Sequence, residues 1–134
     1  MVKATLYGSA SMEGMKIIKN NSYMVCPGEK IYDCKRQLLA IQDTLDIIGG
    51  KWKVTILGCL AMGGKRFMDL QRELAGIGPK MLSRELHELE MNGLIRKEEE
   101  GKYEMTAYSD SLKPVIQVLA EWGTQHRVKV MSMQ

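Results

Sequence analysis

The sequence predicts a mainly α chain with one small β-hairpin (α+β), in the order helix, helix, helix, helix, hairpin, helix. Three observations carry this. After Lys35, apolar residues recur at roughly helical spacing through four stretches, each closed by glycine. After Gly93 the pattern changes to alternation around Glu99-Glu100-Gly101. From Ser111 the helical spacing returns. This is the order of a winged helix-turn-helix with an added helix at each end, and a chain of 134 residues is sized for one core.

Each element has its own justification. Leu38, Ile41, Leu45 and Ile48 line a helix from Lys35 that Gly49-Gly50 stops. Lys51 to Met62 is the second helix. Its apolar residues, Trp52, Val54, Ile56, Leu57, Cys59 and Leu60, go most of the way round, which marks a central helix. Gly63-Gly64 ends it. A short third helix, Arg66 to Leu74, places Phe67, Leu70 and Leu74 on one face. Pro79 suits the first turn of a fourth helix, which runs to a stop at Asn92-Gly93. Leu94–Lys97 and Lys102–Thr106 form the hairpin, with Tyr103 and Met105 alternating against polar neighbours. The last helix starts near Ser111, takes Pro114 in its first turn and carries Leu112, Val115, Ile116, Leu119 and Trp122. Residues 1–25 have mixed polarity and no sustained period. They are expected to be a poorly ordered arm, with a short strand at Lys16–Lys19 and alternative starts at Met12 and Met15, ahead of one domain over residues 26–134.

Composition narrows the function classes. The chain is 45% hydrophobic and 26% charged, as a globular domain is. No apolar run approaches the ~18 residues that span a bilayer, and residues 1–25 lack the core of a secretory signal, so a cytoplasmic protein is expected. The three cysteines form no CxxC pair, and two histidines leave little for metal or acid–base chemistry. With no nucleophile–base set and no Gly-rich phosphate loop, no enzyme, cofactor or metal is expected. A regulator or a binding module remains.

Charge is informative by position. Lys51 to Arg84 holds seven bases (Lys51, Lys53, Lys65, Arg66, Arg72, Lys80, Arg84) against two acids, whereas Glu85 to Glu100 holds six acids against two bases. On the fourth helix Leu82, Leu86 and Leu89 fix the buried face. Lys80, Arg84, His87 and Met91 then lie opposite, with Ser83 beside them. The basic and hydrogen-bonding positions fall in the first half, the part a recognition helix presents to base edges. Arg84 has the geometry to grip guanine, and Lys80 and Ser83 can meet bases or phosphates. Lys51 and Lys53 at the second helix, Lys65 and Arg66 at the third, and Lys97 and Lys102 on the hairpin are the candidate phosphate contacts.

These residues also carry a family resemblance. Ile48-Gly49-Gly50-Lys51-Trp52, Gly64-Lys65-Arg66-Phe67, Pro79-Lys80-Met81-Leu82 with Leu86, Leu89 and Gly93-Leu94, and Leu119-Ala120-Glu121-Trp122-Gly123 closely resemble the HxlR family of bacterial winged-helix transcriptional regulators, over about residues 38–123. The resemblance implies a homodimer on DNA, joined through its terminal helices. Three departures stand out. Gly78 replaces the family's usual Ser before the recognition-helix proline, the hairpin tip is shorter and acidic, and Cys26-Pro27 lies further upstream than the family's Cys-Pro. Some relatives sense oxidants through that cysteine, which makes Cys26 and Cys34 the redox candidates.

The terminal helices carry more apolar residues than one small domain covers. Leu38, Leu45, Leu112, Val115, Ile116, Leu119 and Trp122 are therefore expected at a dimer interface. A two-fold axis there implies double-stranded DNA with an inverted-repeat operator. The competing reading is a winged-helix protein-interaction module without a DNA target, suggested by the acidic tip and the small net charge of +3.

Overall fold

A computed structural model describes residues 31–134. The expected arm at residues 1–25, the strand at Lys16–Lys19 and the redox candidate Cys26 lie outside the described residues. The chain divides between Ala40 and Ile41 into two compact units. The boundary falls within the first helix, α1 (Ile31–Ile48), which begins ahead of the expected Lys35 and ends where the sequence predicts. At that end the Gly49 N–H still donates to the Leu45 carbonyl at 2.7 Å.

The second unit, Ile41–Gln134, contains the predicted order of elements. Helix α2 (Lys53–Ala61) is the hub, with Ile56, Leu57 and Leu60 buried. Packed on it are α3 (Phe67–Glu73), α4 (Pro79–Met91) and α5 (Lys113–Ser132). Leu70, Leu74, Ile77, Leu82, Leu86, Leu89, Leu94 and Ile95 complete the core. Trp52 and Phe67 pack against this core, half-buried, as expected of core rather than base-stacking residues. Helix α2 is shorter than expected because Lys51 and Trp52 form the bend that leads into it, and the Trp52 carbonyl accepts from the Ile56 N–H at 2.8 Å.

One element differs in kind. Lys65–Arg66, expected at the start of the third helix, form a strand, β1. It adds to the hairpin β2 (Ile95–Lys97) and β3 (Lys102–Met105), giving an antiparallel sheet in the order β1-β3-β2. A two-residue strand shows no alternation of its own, since its partner lies almost 40 residues away in the chain. Gly64 makes the approach to β3 tight, because a Cβ there would stand 2.8 Å from Glu104 Cγ.

Two features fix α4 in place. At its end Gly93 takes φ +73°, the Gly93 N–H donates to the Glu90 carbonyl at 2.9 Å, and the Leu94 N–H reaches the Leu89 carbonyl at 3.0 Å. This left-handed glycine exit turns the chain into β2. Just beyond β3, the Thr106 hydroxyl donates to the Gly93 carbonyl at 2.7 Å and the fully buried Ser109 hydroxyl donates to the Leu94 carbonyl at 2.6 Å. A short 3-10 turn, Ser109–Leu112, therefore precedes α5 and pins the end of the reading helix to the root of the terminal one.

Removing the Ser109 hydroxyl takes one donor from the Leu94 carbonyl, which keeps the Thr106 N–H at 3.1 Å. Ser109→Ala is expected to lower stability by roughly 0.5–1.5 kcal/mol, measured by urea unfolding with an unchanged m-value.

Candidate DNA-reading face

Helices α3 and α4, joined through Leu74 to Gly78, form the helix-turn-helix. Gly76 takes φ +98° in the turn and Ile77 is buried under it. Helix α4 starts at Gly78, whose carbonyl accepts from the Leu82 N–H at 2.9 Å without any side-chain cap. The leucine stripe is buried as its spacing predicts, with Leu82, Leu86 and Leu89 at 0–1% exposure. Lys80, Ser83, Arg84, His87 and Met91 are exposed. The helix thus presents its predicted cationic and hydrogen-bonding face outward.

Glu85 shows what spacing did not. It lies three residues after Leu82 and four before Leu89, within the buried stripe, and it is itself buried. Its partner is Lys53, at the start of α2. Lys53 Nζ lies 2.7 Å from Glu85 Oε2 and 2.7 Å from Glu88 Oε2, with only 14% of the lysine side chain exposed. Hydrogen bonds to Glu85 and Glu88 hold the Lys53 ammonium above its ordinary range, against the opposing pull of burial. Lys53, expected as a phosphate contact, pairs with two carboxylates of α4.

The sheet brings together residues that the sequence left apart. Arg66 pairs with Lys102 as direct cross-strand partners, and both are exposed. Strand alternation sets their side chains on the same outer face. Like charges directly opposite repel, so this pair suits a site that holds an anion between them. Lys65 has a different environment. Its Nζ meets Glu73 Oε1 at 2.9 Å, and that contact raises its pKa. Lys97 extends over the Tyr103 ring, 5.6 Å from its centroid, and Lys51 over Trp52 at 4.7 Å. Arg96 is paired within the hairpin to Glu98 and Glu104, so part of the tip's acidity is already neutralised.

Two cysteines, Cys34 and Cys59, lie among the described residues. Cys34 is half-buried on α1. Cys59 is half-buried on α2, where burial and then Glu73 push its thiol up, so it behaves as an unreactive packing residue. On the terminal helices the expected interface separates into two groups. Leu112 and Ile116 are half-buried and pack against the core. Leu38, Leu45, Val115, Leu119 and Trp122 remain exposed, and Trp122 stacks on His126 with ring centroids 5.2 Å apart.

Comparison with known proteins agrees with this architecture. The family model described as HxlR-like helix-turn-helix matches residues 47–131. The chain belongs to the HxlR family. Among relatives of this HxlR-family chain, the HTH-type transcriptional regulator YtcD of Bacillus subtilis (strain 168) is 37% identical over 98 residues, 69% of this chain and 78% of the relative. The solved structure of the redox regulator HypR in its reduced form superposes with a TM-score of 0.63 at 33% identity, covering 69% of this chain and 98% of that one. A crystal structure of ytcD gives a TM-score of 0.60 at 40% identity, covering 64% and 94% respectively. These HxlR-type relatives and neighbours are helix-turn-helix transcriptional regulators, which supports a DNA-binding regulator. Among the described residues no helix is long and apolar enough to cross a membrane.

The Lys53 cluster sets a pH window. Lys53 and Arg84 hold Glu88 below the ordinary carboxylate range, Lys53 more strongly. Its stabilising contribution is complete above the ordinary glutamate pKa and is lost as pH falls through the lowered one. Lys53 is raised, so its contribution is complete below the ordinary lysine pKa and is lost as pH rises through the raised one. Lys53→Met should therefore destabilise throughout the neutral range, by about 2 kcal/mol, because it leaves the buried Glu85 without its cation. Adding Glu85→Leu should recover most of the loss. Thermal unfolding between pH 4 and 10 checks both.

Proposed function

We propose that the chain is a homodimeric, sequence-specific DNA-binding transcriptional regulator that lays α4 in the major groove. The observation that carries this is the outward face of α4, where Lys80, Ser83, Arg84 and His87 stand opposite a fully buried leucine stripe. A recognition helix reads base edges from its first turns, where these residues cluster. Arg84 offers the two donors that guanine O6 and N7 accept, and Lys80, Ser83 and His87 contact neighbouring bases or phosphates.

Phosphate contacts frame that helix. The Arg66–Lys102 pair on the outer face of the sheet grips one phosphate, and Lys51 and Lys97 reach others. Lys53 acts beneath the surface, as described above. The wing is shallow, because its acidic tip turns tightly: the Gly101 N–H donates to the Glu98 carbonyl at 2.9 Å.

Dimerisation uses the apolar side chains that one chain leaves exposed. Val115, Leu119 and Trp122 on α5, with Leu45 and Leu38 on α1, cover their copies across a two-fold axis. Two reading helices about 34 Å apart then match an inverted-repeat operator.

Binding assays with duplexes selected from a random pool test the assignments. Arg84→Ala should weaken the selected duplex by about 1–3 kcal/mol and scrambled duplex far less. Arg66→Ala should weaken both alike and reduce the salt slope by about one unit. Equal losses on every sequence for Arg84→Ala would remove it from base reading. No duplex binding at low salt would favour a protein-interaction module instead.

A second assay addresses assembly. Leu119→Asp with Trp122→Asp should sediment as a folded monomer and bind the full selected duplex much more weakly. A variant that remains dimeric places the interface elsewhere.

A further inference from the structure

The reading helix carries its own positioning device. Glu88 lies one turn after Arg84, and its carboxylate is engaged at both oxygens. Oε2 meets Lys53 Nζ at 2.7 Å and Oε1 faces Arg84 Nε at 3.6 Å. Lys53 is held in turn by Glu85, which is buried in the leucine stripe. A chain of contacts therefore runs from the core to the exposed guanidinium: Glu85, Lys53, Glu88, Arg84. Its exposure rises in the same direction. The Glu85 and Lys53 side chains are 11% and 14% exposed, Glu88 43% and Arg84 69%.

The chemistry of the last contact matters. Arginine reads guanine with its two terminal amino groups, whereas Nε points back toward its own helix. A carboxylate that engages Nε leaves those two groups free and limits the directions in which the guanidinium points. A free arginine side chain samples many rotamers, and fixing it before contact reduces the entropy lost on binding. Lys53 makes this compatible with DNA, since the four charges cancel and no net negative charge approaches the phosphates.

We propose that Glu88 is a positioning residue that orients Arg84 for base recognition, with Lys53 neutralising and anchoring it. The proposal rests on the reading of α4 as the recognition helix and deepens it, by naming what determines the precision of its central contact. It also has a distinctive sign. Electrostatics alone demands that removing a carboxylate from a DNA-facing helix tighten binding to every duplex. Positioning demands that the selected sequence lose affinity relative to the rest.

The test uses the full chain, a duplex selected from a random pool by the wild-type protein, and a scrambled duplex of equal length. Glu88→Gln should lower the selected-to-scrambled affinity ratio roughly 2- to 10-fold, with scrambled-duplex affinity unchanged or tighter. Glu88→Asp keeps the charge but withdraws it from Arg84, and it should lower the ratio too. In an Arg84→Ala background neither change should move the ratio. NMR of the free protein gives a readout independent of DNA, in which the Arg84 Nε order parameter should fall in both Glu88 variants. Equal tightening on both duplexes, or the same fall in ratio without Arg84, would overturn the proposal. An unchanged ratio in Arg84→Ala alone would reject Arg84 as a base reader and the positioning role with it. A normal Arg84→Ala loss beside an unchanged Glu88→Gln ratio would reject only the positioning role.

Discussion

A helix that carries Glu85, Glu88 and Glu90 approaches a polyanion more readily when its carboxylates are neutralised from the protein side. Lys53 does this for two of the three, from the start of the central helix, at 2.7 Å from each. The same contact joins two structural tasks. It neutralises the one acid embedded in the leucine stripe, and it ties α4 to the start of α2. Burying a charge without a partner is far more costly than leaving a neutral helix exposed. One lysine therefore links the packing of α4 to the charge balance of its polar face.

From this anchor the remaining architecture follows with few additions. The leucines of α4 set its rotation, the Gly93 exit sets its length, and the hydroxyls of Thr106 and Ser109 fasten that exit to the turn before α5. The sheet adds a second basic surface by pairing Arg66 with Lys102. Neither strand alone has the length to be stable, and the three together are held by Tyr103, Met105 and Ile95 packing on the core. Near the C-terminus Leu112 and Ile116 pack on the same core, while Val115, Leu119 and Trp122 are left exposed. That division separates what one chain needs to fold from what a second copy would cover.

Much of this was legible in the sequence for physical reasons. Helical periodicity with glycine stops located α1 to α4, because apolar spacing and left-handed exits are local signals. The exposure of Lys80, Ser83, Arg84 and His87 followed from the positions of three leucines. What escaped was non-local. β1 has only two residues and exists through pairing with Lys102 and Tyr103 across a long sequence gap. The pairing of Lys53 with Glu85 and Glu88 escaped because charge composition carries no direction, and only the packing of α2 under α4 brings the three together. The packing of Leu112 and Ile116 on the core escaped because periodicity identifies an apolar stripe without saying what lies against it.

The central claim is that two copies of α4 read two adjacent major grooves on one face of a duplex. Hydroxyl-radical footprinting on a duplex selected by the protein tests it directly. The account predicts two symmetric protected patches centred about one helical turn, ~34 Å, apart, related by the dyad of an inverted repeat. A single protected patch without a dyad, or uniform protection that does not depend on sequence, would contradict it.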